Sequence, residues 1–230
     1  MLEELKIQVC EANLAIVKAG LVIQTWGNVS GIDRAGGRVV IKPSGVSYKQ
    51  MRPRHMVVVS LDDGSVVEGN LRPSSDTPTH LALYRAFKAI GGVVHTHSAH
   101  ATAWAQAHRP MPAFGTTHAD YFHGAIPCTR MIKPAEIRKD YEANTGKLIV
   151  ARFKGVKPLD VPAVLVAGHG PFTWGRDAAD AVHNAVVMEH LAKLAIDTLL
   201  IDPNAKPLPA ALLDKHFFRK HGPGAYYGQK

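Results

Sequence analysis

Gly91-Gly92-Val93-Val94-His95-Thr96-His97 joins a short β-branched run to two histidines two residues apart. Side chains alternate along a strand, so His95 and His97 share one face while Thr96 takes the other. The run therefore delivers two imidazoles to one place from a buried strand. The glycine pair in front of it reads as a helix stop, because glycine takes the left-handed conformation at C′ cheaply. A His-x-His pair alone fits a metal site or two packed histidines equally well, and other residues must decide between them.

The surrounding pattern is that of an antiparallel sheet with helices. Leu2, Leu5, Val9, Ala12 and Ile16 recur at helical spacing before Gly20, which predicts a helix over 2–19. Thr25 to Asp33 and Arg38 to Lys42 read as strands around an Arg34-Ala35-Gly36-Gly37 turn; Met56 to Leu61 turns at Asp62-Asp63-Gly64 into Ser65 to Gly69. Strands joined by such tight turns must pair antiparallel. Ser74-Ser75-Asp76-Thr77-Pro78 opens a helix, with Asp76 or Thr77 as cap and proline in the first turn. A short helix spans Ala99 to Ala107, and residues 110–129 are rich in turns. Val161 to Val166 is an apolar strand broken by Gly168-His169-Gly170-Pro171. Asp177 caps a long helix to about Leu200, and Ala210 to Lys220 is the last helix, ahead of a tail that carries Tyr226 and Tyr227.

At 230 residues the chain can bury a good core as one domain, and no linker or internal repeat divides it, so 1–230 is expected to be a single unit. The formal charge of +8 raises the question of nucleic acid. The cations are spread, however, over Arg52 and Arg54, Arg152 to Lys157 and Lys215 to Lys220, and the aromatics do not interleave with them. A small anionic substrate explains the charge better. No apolar run reaches membrane-spanning length, the acidic N-terminus does not resemble a signal peptide, and Cys10 and Cys128 cannot make a disulfide framework. A reduced cytoplasm is the expected compartment.

Two constellations carry chemistry. His95, His97 and His169, two on a strand and one in a glycine-flanked turn, match a catalytic metal site with three protein ligands and an open position. Asp76 is a further ligand, a residue that orients a ligand, or a plain helix cap; His100 and His118 are competing imidazoles. The second constellation is anionic in preference: Lys42-Pro43-Ser44-Gly45 follows a strand, and Ser74-Ser75 stands at a helix N-terminus, where free N–H groups favour phosphate. Together they suggest a phosphorylated carbonyl compound. No Gly-x-Gly-x-x-Gly opens a helix after a strand, so NAD is not expected, and there is no nucleophile elbow.

Thr25-Trp26-Gly27-Asn28-Val29-Ser30, Ile41-Lys42-Pro43-Ser44-Gly45-Val46, Pro73-Ser74-Ser75-Asp76-Thr77-Pro78-Thr79-His80, Val94-His95-Thr96-His97-Ser98, Gly115-Thr116-Thr117-His118-Ala119-Asp120-Tyr121 and Asp214-Lys215-His216 through Tyr227-Gly228-Gln229 resemble the 4-epimerase branch of the class II sugar-phosphate aldolase/epimerase family. The resemblance spans nearly the whole chain and loosens around Arg152 to Asp160 and Asn204 to Pro209. Ala167-Gly168 before His169 departs from relatives that carry more polar residues there.

The resemblance implies a three-layer α/β/α domain with a central, mainly antiparallel sheet, assembled as a homotetramer with active sites at subunit interfaces. It implies zinc on His95, His97 and His169 with Asp76 beside or on it, and substrate and phosphate held by Gly27, Asn28, Lys42, Ser44, Gly45, Ser74 and Ser75. It makes Asp120 and Tyr227 the two acid/base groups, with Tyr227 reaching a neighbouring subunit's site. The implied reaction interconverts L-ribulose 5-phosphate and D-xylulose 5-phosphate, in arabinose breakdown or another pentose-phosphate route. The alternative is a zinc aldolase resembling L-fuculose-1-phosphate aldolase, in which a glutamate stands where this chain has Asp76.

Overall fold

Seven strands form one sheet in the order β4-β3-β2-β1-β5-β7-β6, and each named pair in it is antiparallel. They are β1 (Asn28–Asp33), β2 (Arg38–Ile41), β3 (Val57–Ser60), β4 (Val66–Glu68), β5 (Gly92–His95), β6 (Ala163–Val166) and β7 (Gly170–Gly175). The helices are α1 (Leu2–Lys18), α2 (Thr77–Ala86), α3 (Ala99–Gln106), α4 (Thr116–Ala119), α5 (Pro134–Arg138), α6 (Tyr141–Arg152), α7 (Ala178–Ile201) and α8 (Ala210–Phe218). The computed structural model describes residues 2–228, so Gln229 of the tail motif lies outside the described residues.

Alternation along the strands divides the valines between two cores, which is why the sheet needs helices on both sides. Val39, Val57, Val59 and Val93 face one core with Tyr84, Trp104, Phe122, Trp174 and the later part of α7. Val29, Val40, Val58 and Val94 face the other with Val9, Ile16 and the start of α7. Each of these valines is at most 1% exposed, and burial of such a side chain stabilises by about 1.5–3 kcal/mol. The three-layer architecture expected from the sequence is therefore present. Among the described residues no helix is long and apolar enough to cross a membrane.

One expectation fails. α2 ends at Ala86, five residues before Gly91, and its C-cap is Phe87, so the glycine pair is no helix stop. A Cβ on Gly91 would stand 1.9 Å from the Arg176 carbonyl oxygen, and one on Gly92 2.2 Å from that of Asp177. The pair lets the first residues of β5 run against the backbone that leads into α7, a close approach and not a left-handed turn. The expected helix that ends in the long α7 is capped as predicted, with the Asp177 side chain accepting from the Asp180 N–H. α5 and α6, and the strand character of β7, have no counterpart in the sequence reading.

Candidate active site

β5 lies between β1 and β7 in the sheet, and its end carries the first histidine. The register pairs His95 with Asn28 on β1 and with Phe172 on β7. This sets the His169 turn, between β6 and β7, beside the end of β5. His97 lies just past the strand, yet Nε2 of His95 and Nε2 of His97 stand 3.1 Å apart, and the donor atoms of His95, His97 and His169 all fall within 4.8 Å of one another. His95 is fixed from behind: its Nδ1–H donates to the Pro171 carbonyl at 2.9 Å, and its ring stacks on Phe172. Burial pushes the His95 imidazole well below its usual range, so it stays neutral and keeps a lone pair free. Three neutral imidazoles converging without a shared proton donor suit a cation, and such a nitrogen set fits zinc.

Asp76 is the N-cap residue of α2 by position, but its side chain makes no capping bond. Its carboxylate accepts from the Asn28 amide at 2.6 Å instead. Burial opposes its charge, while His95, His80 and the Asn28 amide outweigh that and hold it below the usual carboxylate range. Asp76 stands outside the trio that closes on itself. His100 and His118 are elsewhere: His100 pairs with Glu189, and His118 donates to the Gly124 carbonyl.

The anionic segments are laced together. Ser44 N–H donates to the Arg72 carbonyl and Ser74 N–H to the Lys42 carbonyl, each at 2.9 Å, across a bridge between Pro43 and Pro73. Lys42 is 2% exposed, with its ammonium 3.3 Å from the Pro43 carbonyl and 4.9 Å above the Tyr48 ring. Burial lowers its pKa, and among the described residues no carboxylate forms an ion pair with it. With only the Asp76 charge, beyond ion-pair distance, opposing the burial, this ammonium favours a further anion beside it. A cavity of about 660 Å³, within the usual range for a small-molecule site, unites the two constellations. Gly27, Asn28, Lys42, Ser44, Gly45, Ser74, Ser75, Asp76, His95, His97 and His169 all line it.

Asp120 and Tyr227 do not line it. Asp120, at the end of α4, accepts from Arg219, His216 and Lys220 on and after α8. The tail folds back so that the N–H groups of Tyr226 and Tyr227 both donate to the Arg219 carbonyl, and the Tyr227 ring lies over Arg219 at 4.8 Å and Lys220 at 4.6 Å. Within one chain Asp120 and Tyr227 thus share one basic cluster. Burial opposes the charge of Asp120, but these cations hold it below its ordinary value. Tyr141 and Glu142, at the start of α6, line the cavity and were missed from the sequence, as were Thr25 and Trp26 as lining residues. Only the polar Asp140-Tyr141-Glu142 opening of α6 signalled them.

Residues 7–196 match the family of class II aldolase and adducin N-terminal domains. The chain is 59% identical over 229 residues, covering 100% of both sequences, to L-ribulose-5-phosphate 4-epimerase UlaF of Salmonella paratyphi C (strain RKS4594). A protein of the same name from Salmonella typhi is 58% identical over the same length. Among solved structures, L-fuculose 1-phosphate aldolase superposes with a TM-score of 0.80 at 24% identity, covering 94% of this chain and 95% of that one. YgbL from Klebsiella pneumoniae, a putative aldolase/epimerase/decarboxylase, gives 0.74 at 24% identity, covering 94% and 98%. With the family match spanning most of its length and a full-length relative at this identity, the chain belongs to the class II aldolase family.

Proposed function

We propose that this protein is a metal-dependent epimerase that interconverts L-ribulose 5-phosphate and D-xylulose 5-phosphate by reversible cleavage of the C3–C4 bond. One observation carries the reading: a single cavity is lined both by an imidazole trio and by three serines with a buried ammonium that forms no ion pair among the described residues. The close relatives bear the name of that activity.

The chemistry selects the route. The C4 hydrogen is β to the carbonyl and not acidic, so abstracting it is no way to invert C4. Breaking C3–C4 leaves an enediolate on C1–C3 and glycolaldehyde phosphate. A divalent cation, proposed to be zinc, held by His95, His97 and His169 supplies Lewis acidity that stabilises the enediolate charge.

The remaining work falls to the chain. Lys42, Ser44, Gly45, Ser74 and Ser75 hold the phosphate, so the aldehyde fragment stays tethered while its carbonyl turns its other face to the enediolate. Gly27 and Asn28 flank the substrate, and Asn28 also steadies Asp76 beside the histidines. Asp120 and Tyr227 serve as the two groups that exchange the proton on the C4 oxygen, one for each configuration. Both reach the cavity from a neighbouring copy, which makes the working unit a homo-oligomer, proposed to be a tetramer, with each chain a single catalytic domain in the cytoplasm.

The test runs the reaction in deuterated water and follows C4 by NMR. Cleavage and recombination retain the original C4 hydrogen; deuterium at C4 would overturn the route.

A further inference from the structure

We propose that Tyr141 is a positioning residue for His169: its hydroxyl oxygen accepts the His169 Nδ1–H and so aims Nε2 at His95 and His97. This inference rests on reading the trio as a metal site. The Tyr141 oxygen lies 3.3 Å from His169 Nδ1, within hydrogen-bond reach. The two rings stand 6.2 Å apart at 33°, so the tyrosine also packs beside the imidazole. The arrangement parallels that of His95, whose Nδ1 is held by the Pro171 carbonyl. A partner on the second nitrogen is what fixes the tautomer and direction of a ligating histidine.

Three features of the local structure converge on this placement. Asp140, immediately before Tyr141, adopts φ 56° and ψ 45°, a left-handed conformation that non-glycine residues seldom hold, and this turn sets the direction in which Tyr141 leaves the backbone. Thr79 on α2 donates its hydroxyl to the Glu142 carbonyl at 2.6 Å, pinning the first turn of α6. Further along, Gly146 allows α6 to lie against α2, since a Cβ there would stand 2.5 Å from the Ala82 Cβ. α2 begins next to Asp76, so the Tyr141 and Asp76 walls of the cavity are one packed unit.

The test strips the purified protein with a chelator and titrates zinc against a chromophoric competitor, comparing wild type, Tyr141→Phe and His97→Asn. The wild type is expected to bind one zinc per chain, and Tyr141→Phe to bind it about 10- to 100-fold more weakly, the usual cost of losing such a partner. His97→Asn should lose tight binding altogether. The thermal midpoint of metal-free Tyr141→Phe should match wild type, and nitrogen NMR of the His169 ring should shift from an Nδ1-protonated tautomer to a mixture. Equal zinc affinity and an unchanged tautomer in Tyr141→Phe would overturn the role of Tyr141 and leave the trio intact as a metal site. A wild type that binds no zinc would instead overturn the metal reading on which the role depends.

Discussion

Arg219 grips both carboxylate oxygens of Asp120 at 2.9 Å while its other face carries the Tyr227 ring at 4.8 Å. One guanidinium therefore makes a unit of two residues that the proposed mechanism uses together, and that unit lies off the cavity of its own chain. The arrangement dictates which inactive variants can rescue one another. Asp120→Asn mixed with Tyr227→Phe should stay inactive, because no chain offers an intact cluster. Asp120→Asn mixed with His97→Asn should regain about a quarter of wild-type activity under subunit exchange, since half the cavities and half the clusters are intact. Hybrids verified by mass that remain inactive in the second mixture would assign the cluster to its own chain or to no site.

Phosphate recognition is tested by Lys42→Met combined with Ser75→Ala. Losing a charged donor and a hydroxyl should raise KM for the sugar phosphate about 10- to 100-fold. Zinc content should hold at the wild-type level, because neither residue belongs to the histidine trio. An unchanged KM would place the phosphate elsewhere.

Most elements with strong periodicity or hairpin turns were legible in the sequence: α1, the β1–β2 and β3–β4 hairpins, and α7 with its Asp177 cap. The histidine trio was legible because strand alternation and a glycine-flanked turn both leave a mark. Tyr141 left only the polar opening of α6, since its place beside His169 depends on how α6 packs against α2, which is tertiary information. The glycine pair misled for the same reason. Gly92 can serve a turn or a close approach, and only the distance to Asp177 distinguishes them.

That distance gives a stability prediction. Gly92→Ala puts a methyl where the Asp177 carbonyl stands, so β5 or the start of α7 must shift, and stability should fall by about 2–4 kcal/mol. Urea unfolding measures it. A variant as stable as wild type would show that the approach is looser than described.

His118 gives a pH prediction away from the cavity. It is 3% exposed, its Nε2–H donates to the Gly124 carbonyl at 2.7 Å, and burial pushes its pKa down to about 4. The folded state therefore resists protonation that the unfolded chain accepts near 6.5. Its contribution is complete above that pH and is lost as pH falls toward 4, by roughly 3 kcal/mol at 1.36 kcal/mol per unit. His118→Gln should be less stable at pH 7 but show a flatter decline between pH 6.5 and 4. An equally steep decline would assign the acid sensitivity to other groups.

The proposed inversion at C4 proceeds without a nicotinamide. Purified zinc-loaded protein incubated with L-ribulose 5-phosphate, without NAD, should bring the mixture to equilibrium with D-xylulose 5-phosphate, read by a coupled assay specific for the latter. Release of glycolaldehyde phosphate with no D-xylulose 5-phosphate would mark an aldolase instead, and absence of any conversion would contradict the account outright.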